Sequence, residues 1–490
     1  MRNFFLLILS ALTLQTFAGK GTEIKITVKQ LAGTKFVLAN YYGDKQYIKD
    51  TFDLDKNGVC HIKLDTLLPT GIYLGVFPAL GNRYFEFIVN EPKIVITSTD
   101  TADLAGSIKI EQSVENSWFY QDMVFLSKKR KDIDKYNAEY RSATNDAQKE
   151  AAKNQLQAIE GEIKAHRLSI EKNNPNLFYS KLLRAMRDID MPKDGPRDEK
   201  GVLLDSAWQW RFYKAHYWDN LDLNDPNFIR TPIFHNKLAQ FYTRTIVQIP
   251  DSLIKNGDEF LAKMNPKEDL FRYSLVYMLN EMAKSKVMGF DAVYTHLVNN
   301  YYAKGYTPWV DTVQLYKIVE RGKILEPLLI GKKARNLNLA DSTLKQYRNL
   351  YDLKNRFTIV AFWDPDCGHC KKEIPKLIEL YHKLKAEGID VEVYSVGIFD
   401  IAEMDKWTAF LNEHKLDWIN VADPYHRDNF RYEWDIQSTP QLYILDSEKR
   451  IKAKRIGVEN IEDFIKHEID PTYIPKNSAP LIEDKETEAH

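Results

Sequence analysis

Cysteine is scarce in this chain: three residues in 490, at Cys60, Cys367 and Cys370. Three thiols cannot build the multi-bridge framework on which small secreted domains rely. Net charge is scarce too, because 68 Lys+Arg almost balance 69 Asp+Glu. That balance argues against a nucleic-acid protein, whose domains usually carry a basic excess. Beyond the first residues no apolar run approaches the length of a membrane span. No internal repeat is found, so a repeat array is excluded as well.

What remains is an ordinary globular composition, 44% hydrophobic and 28% charged. At roughly 100–200 residues per domain, the length predicts about three domains. Each is large enough to bury its own core.

Residues 1–18 read as a targeting segment. Arg2 is followed by an apolar run from Phe4 to Leu14, and Thr16-Phe17-Ala18 offers small residues at a cleavage site. The run falls short of the ~20 residues that span a bilayer, so a retained anchor is the weaker reading. No cysteine follows the run, which argues against a lipoprotein anchor. The mature protein is expected to be exported, where disulfide chemistry operates.

Residues 19–112 predict a β-sandwich. Ile24-Lys25-Ile26-Thr27-Val28 and Phe85-Glu86-Phe87-Ile88-Val89 alternate apolar with polar side chains, and Asp55-Lys56-Asn57-Gly58 and Pro69-Thr70-Gly71 supply turns. Cys60 shares a face with Ile62 and Leu64 and reads as a packed small hydrophobe. Residues 113–329 predict helices. Ile133, Tyr136, Tyr140, Ala143 and Ala147 form one apolar stripe; Leu156, Ile159, Ile163, His166 and Ile170 form another. The two registers do not join, which leaves either one stuttered helix or a hairpin. His166 lies on its stripe without a partner ligand and reads as a packed histidine. The aromatic group Trp208, Trp210, Phe212, Tyr213, Tyr217 and Trp218 reads as packing, with a binding groove as the alternative. Residues 471–490 are polar and read as a disordered tail.

Residues 330–470 carry the chemistry. Phe357-Thr358-Ile359-Val360-Ala361-Phe362-Trp363 is an apolar strand suited to a sheet covered on both faces. Asp364-Pro365-Asp366 turns the chain, and Cys367-Gly368-His369-Cys370 opens a helix. Cys367 then meets the unpaired N–H groups and positive dipole end of that helix, which favour a thiolate. Cys370, one turn on, is the resolving thiol, and His369 favours the Cys367 thiolate. A zinc site would need two more ligands at suitable spacing; no second cysteine pair exists and His382 lacks a partner. No metal and no cofactor is expected, since the dithiol itself carries two electrons.

The stretch from about Gly331 to Glu468 resembles the thioredoxin-like fold, and within it the TlpA/ResA-like thiol-disulfide oxidoreductases of bacterial envelopes. The match runs from Ala361-Phe362-Trp363 through the two cysteines to Glu373-Ile374-Pro375. Pro375 falls where the first helix of that family kinks. The resemblance implies that Glu373 tunes thiol protonation, and that Thr439-Pro440 is the cis-proline loop. Thr439, Pro440 and Trp363 then form the substrate-binding set. Ala361 stands where thioredoxin carries a buried Asp, which leaves proton handling to Glu373 or another group. Peroxiredoxins share the fold and are the near alternative, but Asp364-Pro365-Asp366 replaces their Thr-containing approach to the cysteine. More loosely, the β-rich start, with Leu38-Ala39-Asn40-Tyr41-Tyr42-Gly43 and Glu115-Asn116, resembles DUF4369-like modules. The helical middle, with Arg230-Thr231-Pro232-Ile233-Phe234-His235, resembles DUF5106-like modules.

These readings predict a multidomain α+β protein: N-terminal β-sandwich, central α-helical region, C-terminal α/β thioredoxin-like domain. The expected function is thiol–disulfide exchange on exported proteins in the periplasm of a Gram-negative bacterium. Electrons would pass between these substrates and a periplasmic or membrane dithiol donor, with no nucleic acid as partner. The second reading is an envelope binding module with a regulatory redox pair. The Cys-Gly-His-Cys chemistry leans towards oxidation and the family resemblance towards reduction. Self-association through the helical middle is neither required nor excluded by the sequence.

Overall fold

The computed structural model describes residues 21–474. The expected targeting segment, 1–18, and residues 475–490 of the expected tail lie outside the described residues. The chain divides into two compact units, Met1–Val247 with Glu259–Ser274 and Gln248–Asp258 with Leu275–His490.

In the first unit, strands β1 (Glu23–Thr27), β2 (Lys35–Tyr42), β3 (Lys45–Asp53), β4 (Val59–Lys63), β5 (Gly71–Phe77), β6 (Arg83–Val89), β7 (Lys93–Ser98) and β8 (Ile108–Gln112) make two sheets. Their orders are β4-β1-β7-β8 and β3-β2-β5-β6. Strand alternation turns every second side chain inward. Ile24, Ile26, Ile94 and Ile96 from one sheet meet Phe36, Tyr73, Phe85 and Phe87 from the other in one core. This is a sandwich. Cys60 is 1% exposed within that core, and burial pushes its thiol pKa up to about 12.

The two apolar stripes form a hairpin of helices, α1 (Val114–Ser142) and α2 (Asp146–Asn173). Ala143 turns extended and Asn145 caps α2 by accepting from the Gln148 N–H, so the registers are broken by a turn. The pairing is antiparallel: Asp122 meets Arg167, Phe125 stacks on His166 at 4.0 Å, and Lys129 pairs with Glu162. His166 is thus a packed ring on an aromatic face.

The base of α1 covers the edge strand β6. Asn116 Oδ1 accepts from Ile88 N at 2.7 Å and its Nδ2 donates to Ile88 O at 2.8 Å, as a neighbouring strand would. Glu115 accepts from the N–H groups of Phe178 and Tyr179. These open helix α3 (Phe178–Met186). Further helices of this unit are α4 (Trp208–His216) and α5 (Pro232–Gln240). Trp218 stacks on Phe260 at 4.7 Å and Tyr217 packs on Phe241, so these members of the aromatic group are core.

The helical stretch 113–329, taken from sequence as one domain, is shared between the two units. The division falls within α6 (Pro250–Leu261) and α7 (Asp269–Lys284), while α8 (Asp291–Leu297) and α9 (Thr312–Leu325) belong to the second unit. The reason is that these helices bury polar groups on different partners. Asn116 and Tyr120 of α1 bond to β6. Asp291 at the start of α8 pairs with Lys454, and Arg321 of α9 with Asp435.

The second unit is built on a seven-stranded sheet of β9 (Asn338–Asp341), β10 (Tyr347–Asn349), β11 (Phe357–Trp363), β12 (Val391–Gly397), β13 (Ile419–Ala422), β14 (Gln441–Asp446) and β15 (Ile451–Lys454). The order is β10-β9-β13-β12-β11-β14-β15. Strand β11 runs parallel to β12 and antiparallel to β14, and every one of its residues is buried. One face packs α10 (Cys370–Ala386), α11 (Met404–Glu413) and α13 (Val458–Ile469); the other packs the short α12 (Phe430–Glu433) and the chain at Leu328–Leu337. Among the described residues no helix is long and apolar enough to cross a membrane. Residues 471–474 end the described chain in a turn, with Tyr473 Oη donating to Asp463 at 2.7 Å.

Replacing Asn116 by Leu keeps the volume but strips both Ile88 backbone groups of their partner. Each orphaned buried group costs about 1–3 kcal/mol, so stability should fall by about 3 kcal/mol. Urea unfolding should show a lower midpoint at unchanged slope.

Candidate functional site

The two cysteines sit where β11 hands over to α10. The turn begins at Asp364, whose carboxylate accepts from Asp366 N at 2.7 Å and whose carbonyl accepts from Cys367 N at 3.2 Å. Helix α10 starts at Cys370 with His369 in the capping position, three residues later than the sequence reading opened it. Cys367 therefore lies ahead of the helix with its sulfur facing the first free N–H groups. Pro375 lies inside α10.

The two thiols differ in environment. Cys370 is wholly buried, and Cys367 is part-exposed. Burial opposes ionisation of Cys367. Donors outweigh it: the backbone N–H of Cys370, the Thr439 side chain, the Cys370 thiol and the N–H of His369 hold the Cys367 pKa below the ordinary cysteine value. Burial pushes Cys370 up to about 12, and the neighbouring Cys367 adds to the rise against a donated N–H from Asp364 at 3.5 Å. Across the site, the Thr439–Pro440 peptide is cis, and Thr439 O accepts from Cys367 Sγ at 3.5 Å.

The remaining predicted residues are placed less uniformly. His369 is exposed beside the pair. Glu373 is tied to Lys376 Nζ at 2.7 Å. Trp363 is wholly buried in β11: its indole N–H donates to Ser395 Oγ at 2.7 Å and its ring packs on Phe410. Its expected place in the substrate-binding set is corrected to a packing position, because a ring enclosed on all sides cannot meet substrate.

A cavity of about 860 Å³ opens beside the pair, lined by His369, Glu373 and Pro440 on one side and by Met282, Val287 and Met288 on another. All of these belong to the second unit. Sequence reasoning missed three groups here. Asp435, 2% exposed, accepts from both Arg321 and Arg455 just ahead of the Gln437–Pro440 loop. Lys454, also buried, pairs with Asp291 and donates to Leu328 O at 2.5 Å. The apolar rim Met282–Met288 is the third. Arg321 and Asp435, and Asp291 and Lys454, stand more than 100 positions apart, and no local pattern joins them.

Comparison with known proteins converges on this region. Residues 330–454 match the AhpC/TSA family, and residues 202–326 match a domain of unknown function, DUF5106. The thiol-disulfide oxidoreductase ResA of Bacillus thuringiensis subsp. konkukian is 35% identical over 29% of this chain and 79% of its own length. A thiol:disulfide interchange protein DsbE homolog of Paracoccus denitrificans is 26% identical over 29% and 73%. A solved structure described as a domain of a "possible thiol-disulfide isomerase" from Cytophaga hutchinsonii is 42% identical over 30% of this chain and 96% of that one, at a TM-score of 0.27.

The thiolate is the reacting form, so the lowered pKa of Cys367 and the raised pKa of Cys370 predict separate alkylation. With the dithiol reduced, Cys367 should react with iodoacetamide and reach its plateau rate at a lower pH than free cysteine. Cys370 should stay unlabelled to above pH 9. Mass spectrometry after timed quenching reads both sites.

Proposed function

The chain belongs to the ResA-type thiol-disulfide oxidoreductases, and from that membership we propose that it exchanges disulfides of exported proteins in a bacterial periplasm, with Cys367 as the nucleophile. The observation that carries this reading is the inequality of the two sulfurs: one part-exposed and favoured as thiolate, the other buried and protonated.

In the reducing direction, the Cys367 thiolate attacks one sulfur of the substrate disulfide. The substrate S–S bond breaks, the released thiolate takes a proton, and a Cys367–substrate mixed disulfide remains. Conversion of Cys367 to a disulfide removes the charge that helps hold Cys370 protonated. Cys370 then gives up its proton and attacks Cys367 Sγ. The second substrate thiol leaves, the Cys367–Cys370 disulfide forms, and two electrons have passed to substrate. A periplasmic or membrane dithiol restores the pair. Thr439 and Pro440 present the extended substrate backbone, and His369 supports the Cys367 thiolate through its N–H. Glu373, lining the same cavity, is assigned to proton handling around Cys370.

The test is turnover of a disulfide-bearing peptide by the mature protein. Cys367→Ser should abolish it, and Cys370→Ser should accumulate the mixed disulfide. Activity that survives Cys367→Ser would overturn the reading, and hydrogen peroxide consumed faster than any disulfide would replace it with a peroxidase. A Glu373→Gln variant should slow release of the mixed disulfide by about tenfold or more, with Cys367 alkylation unchanged. The potential of the couple sets the direction: about −270 mV marks a reductant and about −120 mV an oxidant.

A further inference from the structure

We propose that the segment Met282–Gly289, between α7 and α8, is the second wall of the substrate groove. It selects extended cysteine-bearing segments that carry an apolar side chain next to the cysteine. The proposal rests on the thiol-exchange reading above and names the substrate class of that same site.

The groove adjoins the reacting atoms, through residues next to them in the chain. Pro440 follows Thr439, whose carbonyl lies 3.5 Å from Cys367 Sγ, and His369 stands between the two cysteines; both line the cavity. A chain segment whose sulfur reaches Cys367 therefore has its neighbouring side chains in this space. At about 860 Å³ the space accommodates a few side chains. It cannot admit a folded domain, so the occupant is an extended segment.

The wall that such a segment meets carries exposed apolar surface beside Ser285 and Lys286. Val287 is 56% and Met288 43% exposed, and both line the cavity with Met282. Large apolar side chains left in water at the rim of a groove mark a contact surface. Val287 and Met288 present aliphatic surface, so the wall selects for apolarity rather than for one side chain.

The wall is also held in place. Lys454 N donates to Met288 Sδ at 3.3 Å, and the buried Lys454 ammonium pairs with Asp291 immediately after the segment. On the facing side, Arg321 makes a two-pronged contact with Asp435, which precedes the Gln437–Pro440 loop. Both walls are thus fixed before substrate arrives, which lowers the ordering cost of binding.

The experiment uses the mature protein, its Val287→Ser/Met288→Ser double variant, and two kinds of disulfide. One is hydroxyethyl disulfide, too small to reach the wall. The other is a pair of matched peptides with a mixed disulfide, bearing Leu or Ser beside the cysteine. The wild type should show kcat/KM about 10-fold or more in favour of the Leu peptide, within the range for apolar pockets. The double variant should lose that preference while turning over hydroxyethyl disulfide at the wild-type rate. Both positions are exposed, and an unchanged unfolding midpoint checks that the fold is intact. Equal rates on the two peptides in the wild type, or a preference that persists in the double variant, overturns the selecting wall and leaves thiol exchange standing. Failure of the wild type on hydroxyethyl disulfide overturns thiol exchange itself, and the wall with it.

Discussion

Cys370 is buried beneath a part-exposed Cys367, and this difference in access ranks the two thiols before any charged group acts on them. Burial is the main cause that drives the Cys370 pKa up to about 12, with Cys367 adding to the rise and the Asp364 N–H and Thr439 opposing it. At Cys367 the same effect is overcome because the chain has not yet entered the helix, so the N–H groups of His369 and Cys370 still need an acceptor. The offset of three residues between Cys367 and the first residue of α10 is what separates the roles. It depends on β11 being enclosed and paired on both edges. All seven of its residues are buried between β12 and β14, and Trp363 anchors its end through Ser395. Trp363 thus serves the site by holding the strand from which the turn departs.

The charges buried around the groove are costly by themselves. Taking an ammonium or carboxylate out of water costs several kcal/mol, and a pair recovers this only with good geometry and further hydrogen bonds. Lys454 has both, from Asp291 and the Leu328 carbonyl. Asp435 has two arginines and the Gln437 amide. Such pairs are weak sources of stability but strict about register. Here Asp291–Lys454 and Arg321–Asp435 each join a position in 275–328 to one in 430–455, and so fix a loop beside the thiols. Asp291 and Arg321 lie outside the stretch matched by the AhpC/TSA family, and both fall within the DUF5106 match. Part of that helical module is therefore packing for the groove.

Legibility followed the range of the interactions. The cysteine pair, the Thr439–Pro440 loop, strand β11 and the alternation that buries Cys60 were readable because each is a local pattern of known chemistry. The hairpin of α1 and α2 was readable to within a choice, since two broken registers fit either a stutter or a turn, and only the Asn145 cap decides. Strands β9, β10 and β13, three or four residues long, are too short to show a period. The role of Glu115 and Asn116 was hidden for another reason: a side chain that pairs with a strand edge or a helix start leaves no repeat. The division of the helical stretch between units was equally hidden, because the ion pairs that tie α8 and α9 to the second unit span more than 100 positions.

Selection by an apolar wall has a ceiling. One methylene more or less in such a pocket changes rates by about 10–200-fold, far below what a hydrogen-bonded pocket achieves. An enzyme that reads its substrates this way separates apolar from polar neighbours of a cysteine but does not single out one protein. The aliphatic surface of Val287 and Met288 fits that breadth. Of the polar groups that line the groove, Asp435 with its two arginines and Lys454 with Asp291 are spent on each other, while Ser285 and Lys286 lie on the wall itself. On the proposed reading, the groove takes a segment while it is extended and loses its hold once folding buries the apolar neighbour.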